Sequence, residues 1–496
     1  MENENKNKLT IEDLTTFCKR KGFVFRSSEI YGGVSGFWDF GPLGVELYNN
    51  IKADFWKFFV HDKENMTGID ASIISHPKTW EASGHLDVFS DVAVVCKKCK
   101  KATKIDKSEL EDKSIRCECG GEYDVQGEFK LMFKTSIGAL KPEDAYMRPE
   151  TAQGMFLDFL SVCDTTRLKL PFGIAQVGKC FRNEIAPRDF LFRSREFTIG
   201  ELEFFTHPEN DDCPLLDESH LDLKLRLLDA KTQDEGKDNL VETTIRKMLE
   251  EKKMSNWHAY WLAEQLLWFR SLGLLGKIKV REHMKKELSH YSSATFDMDY
   301  EYPFGSNEIA GNANRGQYDL TQHAKFSNEK MSIFDEVTKK RVVPSVIEPT
   351  FGIDRVFLAL LCQGYCFDEK RNNIVLKLPP RLAPVKVAVF PIIKKEAYQK
   401  MARDIFNELR KDFNVTYDAS GSVGRRYARN DENGTPMCIT VDADSTEDNA
   451  VTIRWRDNAE QVRVSKENIR EIVRKVIVDG EDLFKFGSKV NTRVKD

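Results

Sequence analysis

Residues 181–197 read FRNEIAPRDFLFRSREF, with four arginines, two glutamates and four phenylalanines. Guanidinium groups grip phosphates in pairs of hydrogen bonds, carboxylates accept from amines, and flat rings stack on bases. One sheet face carrying all three could hold a nucleoside triphosphate without a glycine-rich phosphate loop, and no GxxxxGK[ST] occurs in the chain. Arg182 would then meet a phosphate, Glu184 an exocyclic amine and Phe197 a base, with Arg193 and Arg195 reaching the outer phosphates. The same residues would equally suit a structural salt-bridge network. A solvated charged face is the poorer account, because apolar residues recur at nearly every other position.

Two strands must present these groups. FGIAQVGKCFRNEI reads as the first, APRDFLFR as the turn region with Pro187, and SREFTIGELEFF as the second. In the second, Glu196, Thr198 and Gly200 alternate with Phe197, Ile199 and Glu201, so one face is offered to a ligand. Residues 36–60 run from a Gly/Pro turn into a helix beginning near Pro42. Leu47, Ile51, Phe55 and Phe58/Phe59 follow at helical spacing, for a deep core or a subunit interface. Residues 207–290 read as helical and charged; WHAYWLAEQLLWFRSLG (257–273) is the clearest helix, its tryptophans assigned to core. VVPSVIEPTFGIDRVFLALL (342–361) reads as strand, a break at Pro349 and Gly352, then a helix with Arg355 in its first turn. LKLPPRLAP (376–384) reads as a linker, and beyond it strands and helices alternate as a self-sufficient α/β domain.

At 496 residues the chain has room for several domains, and 41% hydrophobic residues supply their cores. A net charge of −4 excludes a basic coat for nucleic acid, so any RNA must meet local patches. MENENKNKLT resembles neither a secretory signal nor a transit peptide, and no apolar run is long enough for a membrane span. Eleven scattered cysteines argue against a disulfide framework and for a reducing, cytoplasmic setting. Cys96 and Cys99 (CKKC) with Cys117 and Cys119 (CEC) would complete a tetrahedral Zn²⁺ site, or be free thiols in an insertion.

The opening stretch resembles motif 2 of the class II aminoacyl-tRNA synthetases: F-R-x-E, a loop, then R-x-x-x-F. GPLGVELYNNIKADFW resembles motif 1 and EPTFGIDRVFLALL motif 3. With MRPETAQG (147–154), KELSHYSSATFD (286–297) and VGRRYARNDENGTPMCITVD (423–442), the chain resembles the glycyl-tRNA synthetases of the dimeric, single-chain type from about residue 9 to 480.

That resemblance implies ATP-dependent ligation of glycine to its tRNA through glycyl-adenylate. Arg182, Glu184 and Arg355 would be catalytic. ATP would meet Arg182, Asn183, Glu184, Phe192, Arg193, Ser194, Arg195, Glu196, Phe197, Glu308, Ile309, Gly352, Ile353, Asp354 and Arg355, with Glu308 holding Mg²⁺. Glycine would meet Lys104, Glu150, Phe197, Thr198, Ile199, Gly200, Glu201, Glu348, Pro349, Thr350, Phe351 and Gly352, the acids taking its ammonium. Thr350 stands where the family usually has serine and Lys104 where it commonly has arginine; Thr350→Ser is expected to keep activity. Arg425, Arg426, Tyr427 and Arg429 would face tRNA, or form a solvated basic helix.

The expected fold class is α/β: a mixed, mainly antiparallel sheet flanked by helices, plus a C-terminal α/β anticodon-binding domain. Its catalytic domain would span 1–375, with a zinc-ribbon-like insertion at 96–120 and a helical one at about 207–290. A linker at 376–384 and the anticodon-binding domain at 385–496 complete it. Implied partners are ATP, glycine, glycine tRNA and a second copy of the chain, with no membrane. The rivals are another class II ligase, for proline or threonine, and a non-catalytic nucleic-acid-binding relative.

Overall fold

The structure is a computed structural model and describes residues 9–105, 115–288 and 292–490. The first eight residues of the polar N-terminus, and Ser289, His290 and Tyr291 of the KELSHYSSATFD motif, lie outside them. The chain divides into two compact units: Arg26–Trp38 with Phe55–Val356, and Met1–Phe25 with Asp39–Asp54 and Phe357–Asp496.

The first unit is built on a nine-stranded sheet. In chain order its strands are β1 (Met66–Gly68), β2 (Phe172–Phe181), β3 (Glu196–Thr206), β4 (Lys224–Leu228), β5 (Val241–Thr244), β6 (Ile278–Glu282), β7 (Ala294–Tyr302), β8 (Gly305–Gly316) and β9 (Ser345–Gly352). Across the sheet they run β5-β4-β6-β7-β8-β9-β3-β2-β1, antiparallel except at β1–β2 and β4–β6. The expected mixed, mainly antiparallel sheet is therefore present.

Alternation along β3 assigns its two faces. Phe204 packs against Trp257 and Trp261 of helix α1 (Asn256–Ser271), ring centres 4.9 and 5.0 Å away. Phe205 turns the other way, onto Phe159 and Phe172 at 4.8 and 5.2 Å. That second face also carries helix α2 (Tyr318–Ser327), whose Leu320 shares a core with Phe156, Phe205 and Val346. Ser255 caps α1 by accepting from the His258 N–H, and the helix is buried nearly all round, so its tryptophans are core.

Two expectations need correction here. The segment at 207–290 is not simply helical, because β4, β5 and β6 extend the sheet from within it. Pro349 does not break its strand either: β9 runs through it to Gly352. Its missing N–H is accommodated by a gap, since β3 and β9 pair at Glu201↔Thr350 and again at Phe204↔Ile347, but not between.

The second unit contains a six-stranded sheet, in which Val387–Pro391 lies parallel to Val415–Tyr417 and Met437–Val441. Helices Glu396–Leu409 and Ile469–Ile477 bury Ile405, Leu409, Ile472 and Val476 against it. The proposed linker is packed rather than loose: Leu376, Leu378, Leu382 and Ala383 are buried, and Arg456 donates to the Leu378 carbonyl.

Candidate functional site

The loop between β2 and β3 is closed at its base by the Arg182 N–H donating to the Arg195 carbonyl at 2.9 Å. Asp189 and Phe190, both at positive φ, turn its tip. Side chains of the loop meet those of β3, β8 and β9 around a cavity of about 370 Å³. It is lined by Arg182, Glu184, Arg193, Ser194, Phe192, Phe197, Thr198, Ile199, Glu308, Thr350, Gly352, Asp354 and Arg355, among others. Ile199, Glu308 and Thr350 lie far apart in sequence, yet the strand register brings them together.

The cavity has two cation-bearing sides. The Arg182 guanidinium lies 5.4 Å from the Phe197 ring centre, and its Nε donates to the Pro149 carbonyl at 3.1 Å. The Arg355 guanidinium lies 4.4 Å from the Phe192 ring and bridges to Glu308, whose carboxylate is 3.2 Å from Nη1. On each side a guanidinium thus lies over an aromatic ring. Ser194 Oγ is buried with no hydrogen-bond partner, leaving a hydroxyl to be satisfied there.

Beside this cavity lies a buried acidic cluster. Residues directly opposite in antiparallel strands share a face, so Glu201 and its partner Thr350 lie together, and Glu203 two positions on is close enough to feel the Glu348 charge. Both oxygens of Glu348 accept from Arg315 Nη1 at 3.0 Å. Asp319, at the start of α2, takes the Nε and Nη2 of Arg315 at 2.8 Å each. Glu201 accepts from the Thr151 N–H at 2.7 Å and from its hydroxyl. Glu150 accepts from Gln153 at 3.1 Å and from His85 Nε2 at 3.1 Å.

These environments divide the charge. Burial pushes the Glu348 carboxyl up to about 8 despite Arg315, and burial with the Glu150 charge also raises Glu201. Burial would raise Glu150 as well, but the His85 and Arg315 charges hold it well below the usual carboxylate range. Glu203, with neither oxygen hydrogen-bonded, is raised far above it by burial and by Glu348.

Several expected site residues are elsewhere. Arg195 donates to the Glu184 and Ser35 carbonyls, both at 3.0 Å, and does not line the cavity. Arg193 and Glu184 both line it and are paired with each other, the Arg193 Nε donating to the Glu184 carboxylate at 2.8 Å. Glu196 pairs with Lys179, and the Ile309 and Ile353 side chains are core. Asn183 does not line the cavity. Phe351 packs against Trp268 on the opposite face, and Gly200 turns toward Phe55. Lys104 lies on the strand Ala102–Ile105 and lines neither this cavity nor the one at Glu150. In the second unit Arg426 is buried, donating to the Pro391, Ile392, Asp418 and Gly421 carbonyls, and the Tyr427 hydroxyl is engaged by Thr440. Both are structural; Arg425 and Arg429 are exposed, although Arg429 is paired with Asp418.

The cysteine quartet does assemble. The sulfurs of Cys96, Cys99, Cys117 and Cys119 all lie within 4.8 Å of one another, with Cys96–Cys119 at 3.5 Å and Cys99–Cys117 at 3.6 Å. A tetrahedral zinc thiolate site requires sulfurs roughly 3.8 Å apart, given Zn–S of about 2.3 Å. The one-residue-shorter CEC arm is absorbed by a turn at Gly120, φ 76°, and Gly121 approaches Cys96 so closely that a Cβ would lie 2.6 Å from its sulfur. The donor set fits zinc.

Fold and site together define a class II aminoacyl-tRNA synthetase. Prolyl-tRNA synthetase from Cryptosporidium parvum, solved with halofuginone and AMPPNP, has a similar fold: TM-score 0.59 at 15% identity, covering 96% of this chain and 79% of that one. Residues 386–476 match the family described as anticodon binding domain. The glycine–tRNA ligase of Borreliella burgdorferi (strain ZS7) is 42% identical, covering 96% of this chain and 99% of its own. That of Geobacillus thermodenitrificans (strain NG80-2) is 43% identical over 94% and 97%. The chain belongs to the glycine–tRNA ligase family.

Proposed function

We propose that this chain joins glycine to ATP and transfers the glycyl group to glycine tRNA. The observation that carries the reading is the convergence of Arg182, Phe197, Glu308, Thr350 and Arg355 on one cavity beside the buried acids. An oxygen of the glycine carboxylate attacks the α-phosphorus, the bond to the bridging oxygen breaks, and pyrophosphate leaves. The tRNA 3′-terminal hydroxyl then attacks the glycyl carbonyl carbon, and AMP departs. The first step needs no protein base, because the carboxylate is already ionised; positioning and charge neutralisation do the work.

Arg182 takes the α-phosphate, Phe197 and Arg355 sandwich the adenine, and Arg355 extends to the γ-phosphate. Glu308, exposed at the cavity edge, is the carboxylate available to Mg²⁺, which takes one or two protein oxygens beside phosphate. Glu150 receives the substrate ammonium with Glu201 nearby, while Glu348 acts through Arg315. The Thr350 methyl and hydroxyl close the space where a larger amino acid would place its side chain. Zinc held by Cys96, Cys99, Cys117 and Cys119 would be structural. Arg425 is the remaining candidate RNA contact. A cytoplasmic homodimer, with domains at 1–375 and 385–496, completes the reading.

The test is ATP–pyrophosphate exchange across amino acids. Exchange should require glycine, ignore alanine and proline, and fall on the order of 100-fold or more in Arg182→Ala. Exchange driven by proline, or none with any amino acid, would refute the assignment.

A further inference from the structure

His85 is buried, and no motif in the sequence marks it. Its Nδ1 lies 2.8 Å from Ser83 Oγ and its Nε2 lies 3.1 Å from Glu150 Oε2. Trp80 and Phe89 flank the ring at 5.3 and 5.5 Å, fixing its plane. The Ser–His–Glu order invites comparison with a nucleophilic triad, but Ser83 is only 1% exposed and no substrate can reach it. The array instead points toward Glu150.

Glu150 sits among carboxylates that compete for protons, and each has a different restraint: Arg315 on Glu348, Thr151 on Glu201, and Gln153 with His85 on Glu150. Gln153 is itself oriented, accepting from His323 at 2.8 Å and donating to Asp319 at 3.0 Å. Each oxygen of Glu150 therefore has one donor, which fixes the carboxylate plane and leaves the remaining lone pairs for a cation.

We propose that His85 is a positioning residue for substrate capture: its Nε2–H holds the Glu150 carboxylate in the orientation that receives the glycine ammonium. The inference deepens the glycine reading and rests on it. It concerns glycine before ATP: His85 meets Glu150 directly, and the nucleotide side only through Phe89, whose ring also faces the Arg182 guanidinium.

The test measures KM for glycine and for ATP separately in pyrophosphate exchange, using the full chain. His85→Leu should raise the glycine KM about tenfold or more, the scale of one lost hydrogen bond to a charged group, and leave the ATP KM within about twofold. His85→Gln, whose amide nitrogen can occupy the Nε2 position, should restore most of the loss. His85→Asn reaches Ser83 but not Glu150, and should resemble His85→Leu; it carries the test if the leucine variant fails to fold. In a Glu150→Gln background, His85→Asn should add nothing further. A rise in both KM values together, with no rescue by glutamine, would overturn the proposal in favour of a packing role. A higher glycine KM in Glu150→Gln but not in His85→Asn would overturn it while sparing the glycine reading. An unchanged glycine KM in Glu150→Gln would overturn both.

Discussion

Among the described residues neither carboxylate oxygen of Glu203 has a hydrogen-bond partner, and the side chain is fully buried near the Glu348 charge. Burial raises its pKa, so the folded protein holds a proton that the unfolded chain releases at a lower pH. The sign follows: the stability linked to this proton is complete below the unfolded-state pKa and is lost as pH rises toward the folded one. Glu203→Gln removes the linkage, so its melting temperature should exceed that of the parent by a few degrees at pH 8 and by little at pH 5. Equal shifts at both pH values would show that Glu203 is not the proton holder. At this scale the sequence was legible where chemistry is local. Arg182 and Phe197 follow from residue chemistry, and Thr350 and Arg355 from the resemblance to the family's motifs; all four line one cavity. Arg315, His85 and Gln153 were missed because their importance lies in partners far away along the chain, such as Glu348 for Arg315. Backbone carbonyls engage donors of Arg195 and Arg426, and carbonyls leave no signature in residue type.

Among the elements, β3 is the most constrained, pairing along both edges and packed on both faces. At Gly200 an added Cβ would lie 2.9 Å from two ring carbons of Phe55. That ring is wedged among Phe59, Trp268 and Phe351 and cannot yield. Gly200→Ala should destabilise by about 1–3 kcal/mol, read as a lower denaturation midpoint with an unchanged slope. The cysteine quartet, which begins at the end of the strand Ser90–Cys96, predicts a second effect. If the quartet holds zinc, purified protein should contain about one metal per chain. Chelation should then lower the first melting transition, and Cys99→Ser should reproduce that loss without added chelator. Strands β4, β5 and β6 escaped the sequence reading for a definite reason. KLRLL, VETT and IKVRE are short and interrupted by charge, as strands near a sheet edge commonly are, so the two-residue alternation is faint.

On the scale of the whole molecule, the C-terminal region was legible as alternating strands and helices, but its independence was not. Asn373 donates to the Ala428 carbonyl at 3.0 Å, Arg371 meets Asp431 at 3.3 Å, and Lys21 pairs with Glu432. Leu376 and Leu378 pack so close to Gly434 that a Cβ there would have backbone or methyl atoms within 3.1–3.4 Å. A chain ending at residue 384 should therefore lose much of its solubility, and what remains should unfold with reduced cooperativity by circular dichroism. A fully soluble fragment with an intact cooperative melt would contradict this. Proline content suggested a linker at 376–384; Leu376, Leu378 and Leu382 within it are buried.

The discontinuity of the second unit also bears on how a cell makes this protein. Helix Ile11–Lys21 is synthesised well before the rest of its unit, which is completed only by segments from Phe357 onward. At about 5–20 residues per second, roughly 330 further residues mean some tens of seconds during which Leu14, Phe17 and Cys18 wait without their burial. The intervening unit can finish folding in that interval, so nascent-chain proteolysis should find it protected while the first helix is still cleavable.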